Sequence, residues 1–114
     1  MYIVGTNFQE GCLIMNSRNR KANPESPLYR AFLTLKTPEE CYNFLMDLCT
    51  VPEVNAMEQR FEVARLLNQG MIYNKILELT GASSATISRV NRSLNYGTDG
   101  YHMVIDRLEE EEEA

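Results

Sequence analysis

The chain has 114 residues, of which 44% are hydrophobic and 24% are charged, and this composition fits one compact domain. No apolar run is longer than four residues, as at 12–15, which is far short of the roughly 20 residues that cross a bilayer, so a membrane-spanning helix is excluded. The formal net charge of −5 comes from the five glutamates at 109–113, because the remaining 11 acidic residues balance the 11 lysines and arginines. The net negative charge therefore belongs to a C-terminal tail, which we expect to be solvated and frayed.

Residues 1–23 show only weak periodicity and carry a polar, basic stretch at 16–21. They are predicted to form an N-terminal extension or arm outside the core. An alternative is that Met15 is the natural start of the protein. The basic stretch has two open roles, as a contact to a nucleic-acid backbone or as a solvated linker, of which the linker is the simpler.

The pattern from residue 24 to residue 110 is helical, and we take this range as the folded domain. Apolar side chains between residues 28 and 35 recur at spacings of three and four. This spacing predicts an amphipathic first helix that opens at Pro24 and Glu25.

The second helix is predicted to run from Pro38 to about Cys49. Thr37 is a good N-cap, and proline suits the first helical position. Glu40 stands where a capping box places its glutamate. These start signals make the beginning of this helix the clearest in the chain.

The third helix is predicted to restart at Thr50 and Pro52 and to stop at Gly70, a natural C-terminal residue. Its apolar stripe consists of Val54, Met57, Phe61 and Ala64, with Val63, Leu66 and Leu67 alongside.

Three more helices are predicted at about 73–79, 84–95 and 99–110, with Gly81 separating the first two, and 111–114 as an acidic tail. No segment alternates apolar and polar residues as a half-buried strand would, so the fold class is all-α with about six helices. Six short helices bury little apolar area in one chain. We therefore expect an intertwined dimer.

The stretch 73–95 has the layout of a helix-turn-helix. Its first helix is predicted to place Ile76 and Leu79 in the core, and Gly81 permits the left-handed backbone that a tight turn needs. In its second helix, three apolar residues at helical spacing are predicted to face inward. These are Ile87, Val90 and Leu94.

The opposite side of that second helix carries short hydroxyls and arginines, which are the groups that meet base edges and phosphates. Lys75, Arg89 and Arg92 outnumber the single acid Glu78, so the unit is locally positive. The same layout also occurs in helical interaction modules that do not read DNA. The polar side chains on this face are Ser83, Ser84, Thr86, Ser88, Arg89, Asn91 and Arg92.

The residues 85–89, Ala-Thr-Ile-Ser-Arg, and Ser93-Leu94 resemble the recognition helix of the bacterial Trp repressor family. The run 60–67 with Gly70 is similar to the helix before that motif. Across about 25–110 the chain looks even more like the Trp repressor-related YerC/YecD group of Gram-positive bacteria.

This resemblance implies an entwined homodimer that binds double-stranded DNA at a near-palindromic operator as a transcriptional regulator. Each second helix would enter the major groove, with half-sites about 34 Å apart. Carried over by position, Ser84, Ala85 and Ser88 would face bases, and Asn74, Lys75 and Arg92 would hold phosphates. The full candidate set for DNA binding is Asn74, Lys75, Ser83, Ser84, Ala85, Thr86, Ser88, Arg89 and Arg92.

The resemblance also implies an effector pocket, because tryptophan binds the Trp repressor between the core and the recognition helix. Val90 replaces the glycine that gives the indole ring room, and overpacking of this kind costs about 1–3 kcal/mol. We therefore expect no cofactor and no L-tryptophan binding. The candidate pocket residues are Thr50, Arg60, Thr86, Arg89, Val90 and Ser93.

Three interpretations of this region stay open. Either Val90 acts as a built-in plug that holds the recognition helix in its binding position without ligand, or a smaller anionic effector uses the arginines. Alternatively, Arg60 and Arg89 form surface ion pairs with acids such as Glu62 or Glu58.

The cysteines Cys12, Cys41 and Cys49 form no CxxC pair, and an odd count is typical of a reducing compartment such as the cytoplasm. With His102, expected on the surface or at an interface, they lack the spacing of a zinc site. No phosphate loop or nucleophile–base pair indicates an enzyme. The alternative function is therefore a helical interaction or dimerisation module that does not read DNA alone.

Overall fold

A computed structural model describes residues 23–113 of the chain. The predictions for residues 1–22, including the arm, its basic stretch, the Met15 start and Cys12, lie outside this range, as does Ala114. Every regular element between residues 23 and 113 is a helix, so the all-α prediction is confirmed. The helices are α1 (Pro27–Phe32), α2 (Pro38–Leu48), α3 (Val51–Asn68), α4 (Tyr73–Thr80), α5 (Ser84–Tyr96) and α6 (Gly100–Glu113).

The chain divides into two compact units, residues 1–41 and 42–114, and the division falls within α2. In the first unit, α1 begins three residues later than predicted. The side chain of Asn23 accepts the N–H of Glu25 and holds a turn, and the Ser26 hydroxyl caps α1 by accepting the N–H of Leu28 at 3.3 Å. Local side-chain bonds thus override the apolar periodicity at the helix start.

The beginning of α2 is confirmed, with a change in its cap. The Glu40 N–H donates to the Thr37 hydroxyl at 3.1 Å, as predicted. The Glu40 carboxylate accepts the N–H of Lys36 at 2.8 Å, one residue before the expected donor. The end of the helix at Leu48 is one residue short of the predicted limit.

The second unit is organised around α3, whose N-terminus carries a complete capping box. The Thr50 hydroxyl accepts the Glu53 N–H at 3.2 Å, and the Glu53 carboxylate accepts the Thr50 N–H at 2.7 Å. The hydrogen bond that the Thr50 backbone N–H donates to the Glu53 carboxylate, and to a lesser degree the Thr50 side chain, lower the pKa of Glu53 below its ordinary value of 4.5. At the other end α3 stops at Asn68, two residues before the predicted stop at Gly70, which adopts the left-handed conformation with φ 87°.

We expect Thr50→Ala to lower the free energy of unfolding by about 1 kcal/mol, because it leaves the Glu53 N–H without its acceptor. Because the folded state depresses the pKa of Glu53, this carboxylate stabilises the fold above pH 4.5, and the contribution disappears as the pH falls below that value. Glu53→Gln should therefore flatten the loss of stability in acid. Urea titrations at neutral and acid pH measure both effects, and an unchanged acid profile in Glu53→Gln would contradict the assignment.

The core of this unit lies where α3, α4, α5 and α6 meet. Ile76 of α4 is fully buried, as predicted, whereas Leu79 is 57% exposed, so its prediction as a core residue is wrong. The short α4 points Ile76 at the core and turns Leu79 toward a groove beside α3, where it lies near Glu58 and Glu62. The core cluster is Val63, Ala64, Leu66, Ile76, Ala82, Ile87, Val90 and Ile105.

The last helix, α6, continues past the predicted end at about residue 110 and reaches Glu113. Residues 111–113 are exposed, as expected of a solvated tail, but they are helical and not frayed. Glutamate is a good helix former, so a run of it extends an existing helix. Ile105 anchors α6 in the core.

Candidate nucleic-acid interface

The helix-turn-helix predicted for 73–95 is present as α4, a short turn and α5. Gly81 adopts the left-handed backbone, with φ 73°, and its N–H closes α4 on the carbonyl of Leu77 at 2.9 Å. Ala82, which the sequence analysis did not single out, is 2% exposed and joins the core. The turn is therefore anchored immediately before the first turn of α5.

Thr80 connects the turn to its surroundings. Its hydroxyl donates to the carbonyl of Ile76 at 2.7 Å and accepts the N–H of Ala82 at 3.1 Å. Its carbonyl accepts a hydrogen bond from the Gln59 side chain of α3 at 3.3 Å. These bonds fix the direction in which α5 leaves the turn.

The first turn of α5 uses two of the candidate DNA-binding hydroxyls internally. Ser83 is the N-cap: its hydroxyl accepts the N–H of Thr86 and donates to the Thr86 hydroxyl, each at 3.1 Å. Thr86 is half-buried, while Ser84 is exposed. Ser83 and Thr86 thus shape the helix start, and Ser84 is the hydroxyl that stays open to solvent there.

Beyond this first turn, α5 separates a core side from a solvent side. Ile87, Val90 and Leu94 are buried, as predicted. The helical period places the opposite side chains in one exposed stripe along the helix. This stripe, the α5 outer face, consists of Ala85, Ser88, Arg89, Arg92 and Tyr96.

The basic side chains of this region differ in whether an acidic side chain already pairs with them. Among residues 23–113, the ion pairs are Arg65–Glu62 at 3.6 Å and Lys75–Glu78 at 3.2 Å. Glu62 therefore pairs within α3, which contradicts the interpretation that it neutralises Arg60 or Arg89. Lys75 already has an acidic partner, whereas Arg89 and Arg92 have none within the described range.

The candidate effector residues do not come together around one cavity. Val90 is 2% exposed and packs in the core, and the Thr50 hydroxyl is engaged in the α3 cap. Arg60 and Arg89 are exposed, and Thr86 is bonded to Ser83. Ser93 alone of the six candidates lines an open groove of about 640 Å³. Its lining is Phe61, Ser93, Gly97, Thr98, Gly100, Tyr101, Met103 and Val104.

The end of α5 is held by α6. The ring of His102 is half-buried, and its Nε2 lies 3.0 Å from the carbonyl oxygen of Leu94. That carbonyl lies in the last turn of α5, where helices lack internal donors. His102 is therefore partly buried against α5 and satisfies a helix end, a role that the sequence did not indicate. The connection to α6 passes through Gly97 and through Asp99, whose φ is 68°.

Metal binding and membrane insertion are two further properties that the described residues address. Within residues 23–113, no group of histidine, cysteine or acidic side chains is arranged to hold a metal ion. In the same range, no helix has both the length and the apolar character that crossing a membrane requires.

Comparison with known proteins places these features in a wider context. The family model described as "Trp repressor protein" matches residues 26–109. The uncharacterized protein YerC of Bacillus subtilis is 55% identical over 85 residues, which are 75% of this chain and 82% of that protein.

Two solved structures share the fold. A protein from Staphylococcus aureus described as a candidate Trp repressor superposes with a TM-score of 0.73 at 47% identity, over 78% of this chain and 89% of its own. A TrpR-like protein from Eubacterium eligens has a TM-score of 0.73 at 50% identity, over 81% of this chain and 95% of its own.

Proposed function

The chain belongs to the Trp repressor family, and from this premise we propose that it is a sequence-specific DNA-binding transcriptional regulator that reads DNA with α5. The observation that carries the proposal is the α5 outer face, where Arg89 and Arg92 are exposed and have no acidic partner within residues 23–113. An arginine pair on the solvent side of a firmly anchored helix suits a polyanionic partner.

In this proposal α5 enters the major groove with its N-terminal turns. Ser84, Ala85 and Ser88 are exposed and face base edges, where hydroxyls and a methyl group make short contacts. Arg92 holds a phosphate. Ser83 and Thr86 act indirectly, because their hydroxyls are bonded to each other and shape the helix start.

The first helix of the motif, α4, contributes less to DNA affinity than its polar and basic residues suggest. Asn74 is exposed near the start of α4 and is free to approach a phosphate. Lys75 must give up or share its contact with Glu78 to do the same. Lys75 therefore adds a smaller increment to affinity than an unpaired lysine would.

A homodimer is the proposed working form, since two copies present two α5 helices to half-sites about 34 Å apart. Large apolar side chains stay exposed in each unit, and a second copy would cover them. In α1 these include Leu28, Tyr29 and Phe32, and in α6 they are Met103 and Val104. Light scattering checks this form, and a monomeric mass at working concentration would contradict it.

The experiment that tests the function is selection of genomic DNA fragments on the purified full chain at low and at moderate salt. Enrichment of a near-palindromic sequence supports a sequence-specific regulator. Phosphate contacts also require the affinity to fall steeply with added salt. Absence of any enriched fragment at either salt would overturn the proposal.

We expect that L-tryptophan does not change this DNA binding. Val90 occupies core space beside Ile87 and is 2% exposed, so no room for a flat ring opens there without displacing packed side chains. Calorimetry and DNA titrations with and without tryptophan measure the effect. Micromolar tryptophan binding, or a tryptophan-dependent gain in DNA affinity, would contradict the role assigned to Val90.

A second candidate function is a protein-interaction module built on the same scaffold. The observation in its favour is the exposure of Ile72, Leu77 and Leu79 around α4. Apolar docking responds weakly to salt, whereas phosphate contact responds strongly. Salt dependence of the partner's affinity therefore separates the two functions.

A further inference from the structure

Tyr96, the last residue of α5, has a side chain that the packing of the domain does not explain. It is 86% exposed, although tyrosine carries a large apolar ring. Because Ile87, Val90 and Leu94 point into the core, the helical period places Tyr96 on the opposite side of α5. Tyr96 therefore extends the α5 outer face to the end of the helix.

Arg92 precedes Tyr96 by four residues, so the two side chains are neighbours on the helix surface, with Cβ atoms about 5–6 Å apart. Within residues 23–113 the Tyr96 hydroxyl has no hydrogen-bond partner, and Arg92 has no ion pair. Both groups point outward as donors. A row of phosphates would satisfy both.

We propose that the Tyr96 hydroxyl donates a hydrogen bond to a DNA phosphate adjacent to the phosphate that Arg92 contacts. This inference rests on the proposed function and extends its contact surface to the C-terminal end of α5. Tyrosine is a neutral donor used for backbone contacts, which position the protein on the duplex without reading sequence. The contact therefore sets affinity and register, and leaves the choice of bases to the N-terminal turns.

Charge favours DNA over a second copy of the chain as the occupant of this face. Arg89 and Arg92 lie on the same stripe as Tyr96, so two copies that met through it would bring four unpaired cations together. Like charges oppose that contact, whereas a polyanion is attracted by them. The part of the stripe that carries Arg92 and Tyr96 is thus suited to a phosphate backbone.

The test is Tyr96→Phe in the full chain, which removes only the hydroxyl. We expect roughly tenfold or more weaker binding to the selected duplex and to mixed-sequence duplex, because one hydrogen bond to a charged group is lost. The salt dependence should stay unchanged, since a neutral donor releases no counterion, whereas Arg92→Ala should lower its slope by about one. Tyr42→Phe is the matched control, because Tyr42 is an exposed tyrosine of α2.

The outcomes are distinguishable. If Tyr96→Phe binds like the wild type while Arg92→Ala binds more weakly, the tyrosine contact is overturned and the proposed function stands. If both variants bind like the wild type, the DNA-reading role of α5 itself fails. If Tyr96→Ala reduces self-association in light scattering and Tyr96→Phe leaves DNA affinity unchanged, the face is a contact between copies and the inference is overturned.

Discussion

Replacing Arg89 and Arg92 together by alanine is expected to weaken binding to the selected DNA on the order of 100-fold and to reduce the salt slope by about two. Both guanidinium groups are exposed on the α5 outer face, and neither has an acidic partner among residues 23–113. Their full charge is therefore available to phosphates. Fluorescence titrations across a salt series measure the affinity and the slope together.

Arg107→Ala is the control for this pair, because Arg107 is an exposed arginine of α6 with no ion pair in the described part of the chain. We expect it to leave DNA affinity close to that of the wild type. The double variant should also keep its helical content, since exposed side chains contribute little to the core. Wild-type affinity in the double variant at both salts would remove the observation on which the DNA-binding function rests.

Gly97→Ala is expected to lower the free energy of unfolding by about 2 kcal/mol or more. A Cβ atom at this position would overlap the carbonyl oxygen of Ser93 and lie 3.2 Å from its carbonyl carbon. Both are backbone atoms, so no rotamer change relieves the clash. The Gly97 N–H also closes the last turn of α5 on that same carbonyl at 2.9 Å. Urea denaturation followed by circular dichroism measures the loss.

Gly100→Ala provides the matched comparison three residues later. Its Cβ atom would meet the Thr98 hydroxyl oxygen at 3.8 Å, an ordinary contact, and Gly100 begins α6. We expect unchanged stability or a gain of about 0.5 kcal/mol, because alanine is favoured over glycine in a helix. Equal losses in the two variants would show that the clash at Gly97 is relieved by movement of the backbone.

Helix positions followed from the sequence wherever a strong local signal was present. Thr50, with Pro52, and the glycine at 81 mark ends that hydrogen bonds and backbone conformation fix locally. The capping box that Glu53 completes with Thr50 was not anticipated. The start of α1 was missed, because Asn23 and Ser26 form side-chain bonds that no apolar period records. Leu79 was misplaced because burial in a helix as short as α4 depends on where its neighbours lie.

The candidate site was predictable in outline and less so in detail. The inward side chains of α5 follow from periodicity, and the exposure of Arg89 and Arg92 follows from them. The hydrogen bond between the Ser83 and Thr86 hydroxyls is seen only in the structure, because the sequence allows either side chain to face outward. Tyr96 could have been found by extending the solvent stripe one more turn, since the same period that buries Leu94 exposes it.

The helical glutamates at the end of α6 make the charge distribution of the second unit asymmetric. Ile105 fixes α6 in the same core that holds α5, so the acidic run is attached to a rigid element and does not trail as a loose chain. The unit then carries positive charge along α5 and negative charge at its C-terminal end. Under the proposed DNA-binding function, we expect such a dipole to experience a torque near the duplex, which turns the arginines toward the DNA before contact. In that function the acidic tail would favour productive encounters while lowering the overall attraction.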